Sequence, residues 1–401
     1  MKTINWNKII AVLCVLVMLA GFLTVILTKC SLEPDHEDAA ASQEKSSVVT
    51  ADGILEISKY GNVKLDLSHS DVLEAFEYGD ILTVSFGSVS VDVPLGKNFS
   101  DVDSDCPGLF LQMDGDTQET ELAVNMGNFA ETYGIAEKIV HEDKSYEWQY
   151  CDEMSEKTAF TITLKEKAGY LEQFTIRSMT YTDEREDYPE LTDAQYANFR
   201  PVAAGKIGKN VLFRSSSPIN PEHGRSTYAD AAAAEAKVTV FIDLTDSEAS
   251  VPECEGFEGS YFAKQKYAAV AASMDFTAEE NTKKIAEAFR FMAENPGVYC
   301  VFCDEGKNRT GIAAALLESL MGASYDEVAQ DYMQSFVNYY KIGPDDEVYT
   351  MTLNGNLNKS LTAVFGTDPQ TADLQQEAEK YLASIGMTED EIAGLKKNLK
   401  G

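Results

Sequence analysis

The segment that most constrains the fold is residues 298–322, VYCVFCDEGKNRTGIAAALLESLMG. Its apolar start predicts a short β-strand that stops at Cys303, and its Ala- and Leu-rich end after Arg309 predicts an α-helix. The five residues between Cys303 and Arg309 can curl so that successive backbone N–H groups point inward. Such a loop, closed by the positive end of the following helix, binds an anion directly above the cysteine sulfur. The sequence therefore predicts a strand, a phosphate-binding loop and a helix in that order.

The residue types in this loop suit nucleophilic chemistry. The inward N–H groups, the helix dipole and a nearby guanidinium all favour the thiolate form of Cys303, and only the thiolate attacks. Arg309 offers a planar fork that matches two phosphoryl oxygens. Thr310 can donate a hydrogen bond to the sulfur when it becomes the leaving group. The alternative is a buried packing cysteine that has an arginine at this distance by coincidence. The candidate substrate-binding residues are Asp304, Glu305, Gly306, Lys307, Asn308 and Thr310.

The loop CDEGKNRTG resembles the signature loop of protein tyrosine and dual-specificity phosphatases, in particular the bacterial group in which it reads HCxAGKDRTG. The resemblance covers about residues 196–401. It implies an α/β fold, phosphomonoester substrates, and a reaction through a cysteinyl-phosphate that needs no metal and no cofactor. The other similar stretches are residues 198–200, 212–216, 238–244 and 381–399.

Three positions depart from the pattern of that group. Phe302 stands where the family has a histidine, Asn308 where a loop acid is common, and Thr245 where an arginine often follows an Asp-Leu pair. The histidine normally helps to hold the loop and to tune the thiol. These departures leave an alternative function open, a catalytically weak pseudophosphatase that acts as a surface phosphate-binding, anion-binding or interaction protein.

A phosphatase of this kind needs an acid to protonate the leaving oxygen. Asp275 lies 28 residues before Cys303, between an apolar run and the next helix, and the resemblance implies the general acid at this place. The alternative is that Asp275 caps the helix that begins near Thr277. The resemblance further implies that Lys307 adds positive charge at the mouth and accompanies acceptance of phosphoinositides beside phosphotyrosine. The substitutes for the acid are Asp243, Asp246, Asp304 and Glu305.

Strands alternate with helices around the loop. Residues 238–244 and 298–302 are continuous apolar runs, and residues 278–294 carry an apolar stripe at helical spacing. This alternation predicts a cysteine-phosphatase-like α/β domain over residues 184–401, a sheet flanked by helices with its ligand at the carboxyl ends of the strands. Three more helices are predicted over residues 325–340, 372–382 and 388–399.

The preceding residues, 51–183, are rich in short strands with turn signals between them, which predicts a small β-rich domain, a barrel or a sandwich. About residues 51–135 weakly resemble the C-terminal β domain of S-adenosylmethionine hydroxide adenosyltransferases. The larger catalytic half of that family has no counterpart here, so we expect a binding or spacing module. The similar stretches are residues 60–63, 78–81, 98–102 and 123–130.

The N-terminal residues predict a membrane segment. Lys2 and Lys8 precede an uncharged run of 20 residues, 9–28, which at ~1.5 Å per residue spans a ~30 Å hydrocarbon core. Because positive charge precedes this run, we expect a transmembrane signal anchor over residues 1–30, a flexible tether over 31–50, and a single-pass membrane protein with an extracytoplasmic body. A cleaved signal peptide, which would leave the protein secreted, is the alternative.

The charge balance limits the partners. With 66 acidic and 33 basic residues, the formal net charge of −33 argues against nucleic acid or an anionic bilayer surface, so membrane contact is expected through the N-terminal helix only. Phosphorylated proteins and small phosphomonoesters remain as expected substrates. Positive side chains near the site must attract these anions against the net negative charge of the protein, and the candidates are Arg214, Lys307 and Arg309. A disulfide between Cys106 and Cys151 stays open as an alternative to free thiols.

These patterns together predict an exported cysteine-dependent phosphatase. Cys303 is the expected nucleophile, Arg309 the phosphate-binding cation and Asp275 the acid. The expected substrates are phosphotyrosine and, on the strength of Lys307, phosphoinositides.

Overall fold

The computed structural model describes residues 48–114 and 117–401. The predicted membrane segment over residues 9–28 lies outside the described residues, as does nearly all of the predicted tether. None of the helices within the described ranges combines the length and the apolar character needed to traverse a bilayer.

The first part of the described chain forms a nearly closed sheet of eight strands, in the order β1-β10-β4-β5-β6-β7-β3-β2. Alternate residues of β4 face the inside, where Leu82, Val84 and Phe86 are buried. The remaining two strands, β8 and β9, pair with each other. The β-rich prediction is therefore confirmed. The strands are β1 (Val48–Ala51), β2 (Ile54–Ile57), β3 (Val63–Leu65), β4 (Ile81–Phe86), β5 (Val89–Gly96), β6 (Pro107–Asp114), β7 (Thr117–Val124), β8 (Ala136–Val140), β9 (Tyr146–Tyr150) and β10 (Phe160–Glu166), with helices α1 (His69–Ala75), α2 (Phe129–Thr132) and α3 (Leu171–Arg177).

The second part contains a five-stranded sheet in the order β11-β12-β15-β13-β14, in which β12, β15, β13 and β14 are parallel and β11 is an antiparallel edge strand. Helices pack on this sheet, so the α/β prediction is confirmed. The strands are β11 (Arg200–Pro201), β12 (Leu212–Ser215), β13 (Val240–Asp243), β14 (Lys266–Ala269) and β15 (Tyr299–Phe302). The helices are α4 (Asp193–Tyr196), α5 (Ser226–Glu235), α6 (Glu279–Glu294), α7 (Asn308–Leu320), α8 (Tyr325–Tyr340), α9 (Glu347–Thr352), α10 (Lys359–Phe365), α11 (Leu374–Ser384) and α12 (Glu389–Lys400), with a π-helix at Leu353–Asn358 between α9 and α10.

The central strand β15 separates two apolar cores. Val301 and Cys303 belong to the larger core, which includes α6 and α7, whereas Cys300 and Phe302 belong to the core on the other side. The stripe of α6 is buried as its spacing predicted, and full burial of a large apolar side chain stabilises the fold by about 1.5–3 kcal/mol. Burial raises the pKa of the Cys300 thiol, which leaves that cysteine inert.

Residues 170–183, which the sequence analysis assigned to the β-rich domain, contact the α/β part. Gln173 Nε2 donates to the carbonyl of Gly355 in the π-helix at 3.3 Å. A Cβ atom at Gly355 would lie 2.5 Å from that same amide nitrogen, so glycine permits this close approach of α3. Cys106 and Cys151 are both free thiols.

Candidate active site

The loop between β15 and α7 lies at the carboxyl end of the central strand. Gly306 adopts a left-handed conformation with φ +66°, and a Cβ atom there would lie 2.0 Å from the carbonyl oxygen of Ser215. Only glycine satisfies both conditions, which explains why the turn of the loop occurs at this residue.

The carbonyl groups of residues 304–307 all accept hydrogen bonds from outside the loop. Asn198 Nδ2 donates to the carbonyls of residues 305 and 306, at 3.1 and 3.0 Å. Arg214 Nη2 donates to those of residues 306 and 307, at 3.0 and 3.1 Å. The Tyr339 hydroxyl donates to residue 305 at 2.9 Å, and the Ser217 amide donates to residue 304 at 3.0 Å. The loop carbonyls are therefore held outward.

The amides of the same loop face the other way. Within the described part of the chain, the backbone N–H groups of residues 304–309 donate no hydrogen bond. Since the carbonyls of residues 304–307 point outward, the N–H groups of residues 305–308, which belong to the same planar peptide groups, face the interior of the loop beside the N-terminus of α7. This is the geometry of an anion-binding nest.

The donors that hold the loop are themselves held by a buried cluster of charges. Arg214 Nη1 pairs with Asp331 Oδ2 at 2.5 Å, and Arg200 Nε pairs with Asp331 Oδ1 at 2.9 Å. Burial opposes ionisation of Asp331, but the two guanidinium groups hold the pKa of its carboxyl far below its usual range. Sequence analysis missed Asp331 and the role of Asn198, because the only signal was that residues 198–200 and 212–216 resemble the phosphatase pattern.

Arg309 lies at the rim of a cavity of about 330 Å³. Its Nη1 donates to the carbonyl of Leu244 at 3.1 Å and to that of Ala272 at 3.4 Å, and its Nη2 pairs with Asp304 Oδ2 at 2.6 Å. The ion pair is partly exposed, and such pairs contribute only about 0–1 kcal/mol, so an incoming phosphate can displace Asp304 at small cost. The cavity is lined by His223, Ala272, Ser273, Met274, Cys303, Asp304, Glu305, Asn308 and Arg309.

The comparison with protein-family models decides the family. Residues 190–401, more than half of the chain, match the model of the tyrosine phosphatase family. The chain belongs to the tyrosine phosphatase family. This membership identifies it as a phosphoric monoester hydrolase. Residues 53–140 match the C-terminal domain of SAM hydroxide adenosyltransferases, in agreement with the resemblance noted from the sequence. No curated protein sequence matches the chain.

Three solved structures illustrate what the chain is similar to. TpbA of P. aeruginosa, solved in complex with phosphotyrosine, is 13% identical with a TM-score of 0.29, and the match covers 47% of this chain and 91% of TpbA. The core catalytic domain of the PP-IP phosphatase SIW14 from S. cerevisiae, in complex with citrate, is 18% identical with a TM-score of 0.24, covering 39% and 92%. An uncharacterized conserved protein from Thermotoga maritima is 18% identical with a TM-score of 0.21. That match covers 28% of this chain but only 35% of the Thermotoga protein.

Phe302, where the family has histidine, fills an aromatic cluster. Its ring centroid lies 5.7 Å from that of Phe262 and 6.2 Å from that of Phe241. Asn308 Oδ1, at the position of the family's loop acid, is buried without a hydrogen-bond partner among the described residues. The same holds for Thr310 Oγ1, so its expected hydrogen bond to the sulfur is not formed in this state.

Lys307 lies away from the mouth where its charge was expected. Its side chain is buried, and its Nζ contacts Glu305 Oε1 at 3.1 Å and the Tyr340 hydroxyl at 2.5 Å. Four aromatic rings surround the Nζ at 4.6–5.7 Å, two of them those of Tyr181 and Phe336. Burial opposes its charge, but the Glu305 carboxylate raises the pKa of Lys307 above its ordinary value. The expectation for Lys307 at the mouth is corrected, because cation–π contacts and an ion pair hold the side chain inside.

Asp275 does not line the cavity that contains Cys303. It is exposed and lies on a neighbouring cavity of about 670 Å³, and its Oδ1 accepts hydrogen bonds from the amide and the hydroxyl of Thr277, at 2.8 and 2.6 Å. The Thr277 hydroxyl and then its amide lower the pKa of Asp275. Helix α6 begins at Glu279, so Asp275 forms a turn just before the helix. Its role as the acid stays a prediction.

His223 is the residue of this cavity that the sequence analysis overlooked. The four histidines have no spacing that indicates a site, and His223 lies 80 residues before Cys303. The fold brings the turn Pro221–His223 over the loop. No local pattern in the sequence could have indicated this.

Proposed function

We propose that this phosphatase hydrolyses aryl phosphomonoesters, phosphotyrosine above all, through a cysteinyl-phosphate intermediate, and that it acts outside the cytoplasm. The observation that carries the proposal is the loop itself. Its carbonyls are held outward by Asn198, Arg214, Tyr339 and the Ser217 amide, and among the described residues the N–H groups of the loop have no hydrogen-bond partner of their own.

The reaction follows from this arrangement. The phosphoryl oxygens accept hydrogen bonds from the loop amides and from Arg309, which exchanges Asp304 for the substrate. The Cys303 thiolate attacks phosphorus in line, an S–P bond forms, and the P–O bond to the leaving group breaks as that oxygen receives a proton from a carboxyl group, the role predicted for Asp275. Water then attacks phosphorus and gives a proton to the same carboxylate, the S–P bond breaks and the thiolate returns. The Thr310 hydroxyl, which has no other partner in the described structure, can donate to the departing sulfur.

The charges around the cavity favour a singly phosphorylated substrate over a polyanion. Lys307 was the residue that suggested phosphoinositides, but its buried Nζ is paired with the Glu305 carboxylate at 3.1 Å, and Lys307 lines the neighbouring cavity. Among the described residues, Arg309 is the one lysine or arginine that lines the Cys303 cavity. The net charge of −33 further opposes polyanionic substrates.

The location outside the cytoplasm is supported by the sequence before the described residues. The two lysines ahead of the apolar run over residues 9–28 favour export of everything that follows. Fractionation of cells that produce the full chain, with protease added to intact cells, tests this. Loss of the protein to the protease is expected, and full protection would contradict export.

A second candidate function is a binding protein with feeble turnover. Phe302 and Asn308 favour it, since the phenyl ring of Phe302 has no polar group to replace the family's histidine and the amide of Asn308 cannot ionise like the family's loop acid. In that case the loop would bind phosphate without hydrolysis.

One assay separates the two. The purified full chain is compared with Cys303→Ser in the release of p-nitrophenol from p-nitrophenyl phosphate, with Cys106→Ser as a control cysteine outside the site. We expect Cys303→Ser to lose at least about a thousandfold in kcat, as removal of a nucleophile typically does, and the control to match the wild type. Equal background rates in all three, with vanadate still bound, would overturn the enzyme proposal and favour the binding protein.

A further inference from the structure

We propose that the neighbouring cavity, of about 670 Å³, is a substrate subsite that receives a large apolar side chain flanking the phosphotyrosine of a peptide. The inference rests on the proposed function, because it names the substrate class of that same site, a phosphotyrosine peptide. It also gives the β-rich part of the chain a role, since residues of that part form one wall of the subsite.

The two cavities lie side by side. Both are lined by Met274 and Asn308, so these two residues form the boundary between them. Met274 is 54% exposed, and a ligand that extends from one cavity into the other would cover its side chain. Asp275, to which the proposed reaction assigns the proton for the leaving group, also lines the second cavity. A tyrosine that leaves the phosphate above Cys303 must approach this residue, which brings the peptide chain attached to it to the second cavity.

The floor of the second cavity is apolar. Tyr332, Phe336 and Tyr340 recur every four residues on one face of α8, so their rings follow one another along the helix. The ring centroids of Tyr332 and Phe336 are 5.4 Å apart, and those of Phe336 and Tyr340 are 5.9 Å apart. Phe276 and Ile312 add to the apolar lining. Such a surface favours an apolar side chain, and the volume falls in the range of about 300–1,000 Å³ that is typical of ligand pockets.

The charges of the lining are nearly balanced. Arg177 pairs with Asp103, and the buried Lys307 pairs with Glu305. The other charged residues of the lining are Asp275 and Lys359, which have opposite signs. This set gives a polyanion no strong attraction. The apolar floor therefore decides which side chain binds.

One wall of the cavity comes from the β-rich part. Gln173, Ile176 and Arg177 of α3 line it, together with residues of the π-helix and of α10. The match to the tyrosine phosphatase family begins at residue 190, so this wall is not part of the family domain. The subsite is therefore a property of this chain, in which the β-rich part precedes the phosphatase part.

Helix α3 is fixed in place from two sides. Gln173 Nε2 donates to the carbonyl of Gly355 in the π-helix at 3.3 Å. The ring of Phe174 stacks on that of Tyr78 in the β-rich part, with the centroids 5.4 Å apart. The wall is thus formed before a ligand arrives, so binding does not have to order it, which favours affinity.

The test compares phosphotyrosine peptides of equal length that differ at one position. Leu or Ala is placed in turn at each of the two positions on either side of the phosphotyrosine, in an otherwise Gly- and Ser-based sequence. For the full wild-type chain, we expect Leu at one of these positions to raise kcat/KM about tenfold over Ala. The gain should appear in KM and not in kcat, because a buried apolar side chain is bound equally in the ground state and in the transition state.

A variant that fills the cavity shows where the preference arises. Ala363→Trp places a large side chain at an exposed position of α10 that lines the cavity. Thr362→Trp is the matched control, at the adjacent exposed position, which lies outside the lining. We expect Ala363→Trp to abolish the Leu-over-Ala preference and Thr362→Trp to keep it. The ratio between two peptides cancels any difference in the amount of folded protein.

A second variant tests the wall from the β-rich part. Ile176→Ala widens the cavity from α3, so we expect the preferred flanking residue to shift from Leu towards the larger Trp. An unchanged preference in Ile176→Ala would contradict the assignment of this wall to the subsite.

Three other outcomes would overturn the inference. Activity without a Leu-over-Ala preference in the wild type would do so, as would an unchanged preference in Ala363→Trp, and both would leave the phosphatase proposal standing. A wild-type dimer in light scattering that Ala363→Trp dissociates, without a peptide preference, would assign the cavity to a contact between copies of the chain. Failure of the phosphatase proposal has a different signature, namely background turnover of p-nitrophenyl phosphate and of every peptide by the wild type, which would remove both proposals.

Discussion

Asp243, at the end of β13, has surroundings that oppose its ionisation. Its Oδ1 accepts hydrogen bonds from the amides of Thr245 and Asp246, at 2.8 and 3.0 Å, but its Oδ2 is buried without a partner among the described residues. Burial raises the pKa of Asp243 to about 7. A carboxyl group that keeps its proton to this pH makes the stability of the whole protein depend on pH.

The direction follows from the two states of the chain. The unfolded chain releases this proton near the ordinary pKa of about 3.9, whereas the folded protein keeps it until about 7. The free energy of unfolding should therefore fall as the pH rises from about 4 to 7, by about 4 kcal/mol at most, given roughly 1.4 kcal/mol for each pKa unit. Asp243→Asn keeps the Oδ1 acceptor and cannot ionise. The part of the fall in unfolding free energy that Asp243 causes should therefore be absent in this variant, as measured by comparing urea titrations at pH 5 and pH 8.

The matched control is Asp345→Asn, which changes an exposed aspartate on the loop between α8 and α9 and should keep the wild-type pH dependence. If Asp243→Asn and the wild type show the same pH dependence of the unfolding free energy, Asp243 is ionised in the folded protein and the raised pKa assigned to its carboxyl is wrong.

At the scale of elements, the conformation of the signature loop is set by three neighbouring segments of the fold. The loop before β11 supplies Asn198, β12 supplies Arg214, and α8 supplies Tyr339 together with Asp331, which orients Arg214. The loop has the conformation of an anion nest because these elements hold its carbonyls. The helix dipole of α7 then adds positive potential to a shape that already exists.

Asn198→Asp tests this dependence with almost no change in shape. Asn198 has φ +54°, which aspartate also tolerates, and its Oδ1 accepts from Arg200 and Asn338. The variant keeps those acceptors but loses the two donors to the loop carbonyls. Loss of hydrogen bonds to buried groups costs about 1–3 kcal/mol, so we expect vanadate affinity to fall by about tenfold or more.

The control for this variant is Asn210→Asp, the same substitution at an exposed residue with φ +58°. It should bind vanadate like the wild type, as measured by inhibition of p-nitrophenyl phosphate hydrolysis. Equal vanadate affinities for Asn198→Asp and Asn210→Asp would show that the loop keeps its shape without these donors.

At the scale of the whole molecule, the net charge of −33 sets a repulsive field around an anion-binding site. The groups proposed to attract the substrate, namely the loop amides, the α7 terminus and Arg309, all belong to the signature loop and the start of the helix that follows it. The field acts at longer range and is screened by salt, with a Debye length of about 30 Å at 0.01 M and about 8 Å at 0.15 M.

Added salt should therefore accelerate capture of an acidic substrate. For a phosphotyrosine peptide with flanking glutamates, we expect kcat/KM to rise a few-fold between about 0.01 and 0.15 M NaCl. The same peptide with flanking lysines is the control and should show a fall. A fall for the acidic peptide would mean that a local positive surface outweighs the global charge during encounter.

The two parts of the molecule also meet at this scale, through the segment between them. Residues 170–183 pack α3 against the π-helix and bring Tyr181 to Glu305 of the signature loop. The β-rich part therefore contributes to the surroundings of the site through this segment. Its strands, spaced by turn signals, could be predicted from the sequence, but these contacts could not.

What the sequence determined by itself is local. The strand, the loop of five residues and the helix around Cys303 follow from contiguous patterns, and so does α8, whose predicted bounds coincide with Tyr325–Tyr340. The strand predicted over residues 238–244 is shorter in the structure, Val240–Asp243. The run of apolar residues in the sequence extends beyond the residues that pair with the neighbouring strands. The left-handed turn at Gly306 is also a local feature, because glycine itself permits this backbone conformation.

Tertiary structure alone decided which side chains meet the loop. His223, Asn198 and Tyr339 reach it across roughly 30 to 110 residues of chain, and no periodicity connects them to it. It also buried Lys307 among aromatic rings and placed Asp275 on the neighbouring cavity, which shares Met274 and Asn308 with the cavity that contains Cys303. The physical reason is that hydrogen bonds and burial depend on distances in space, whereas patterns in a sequence report only the neighbours along the backbone.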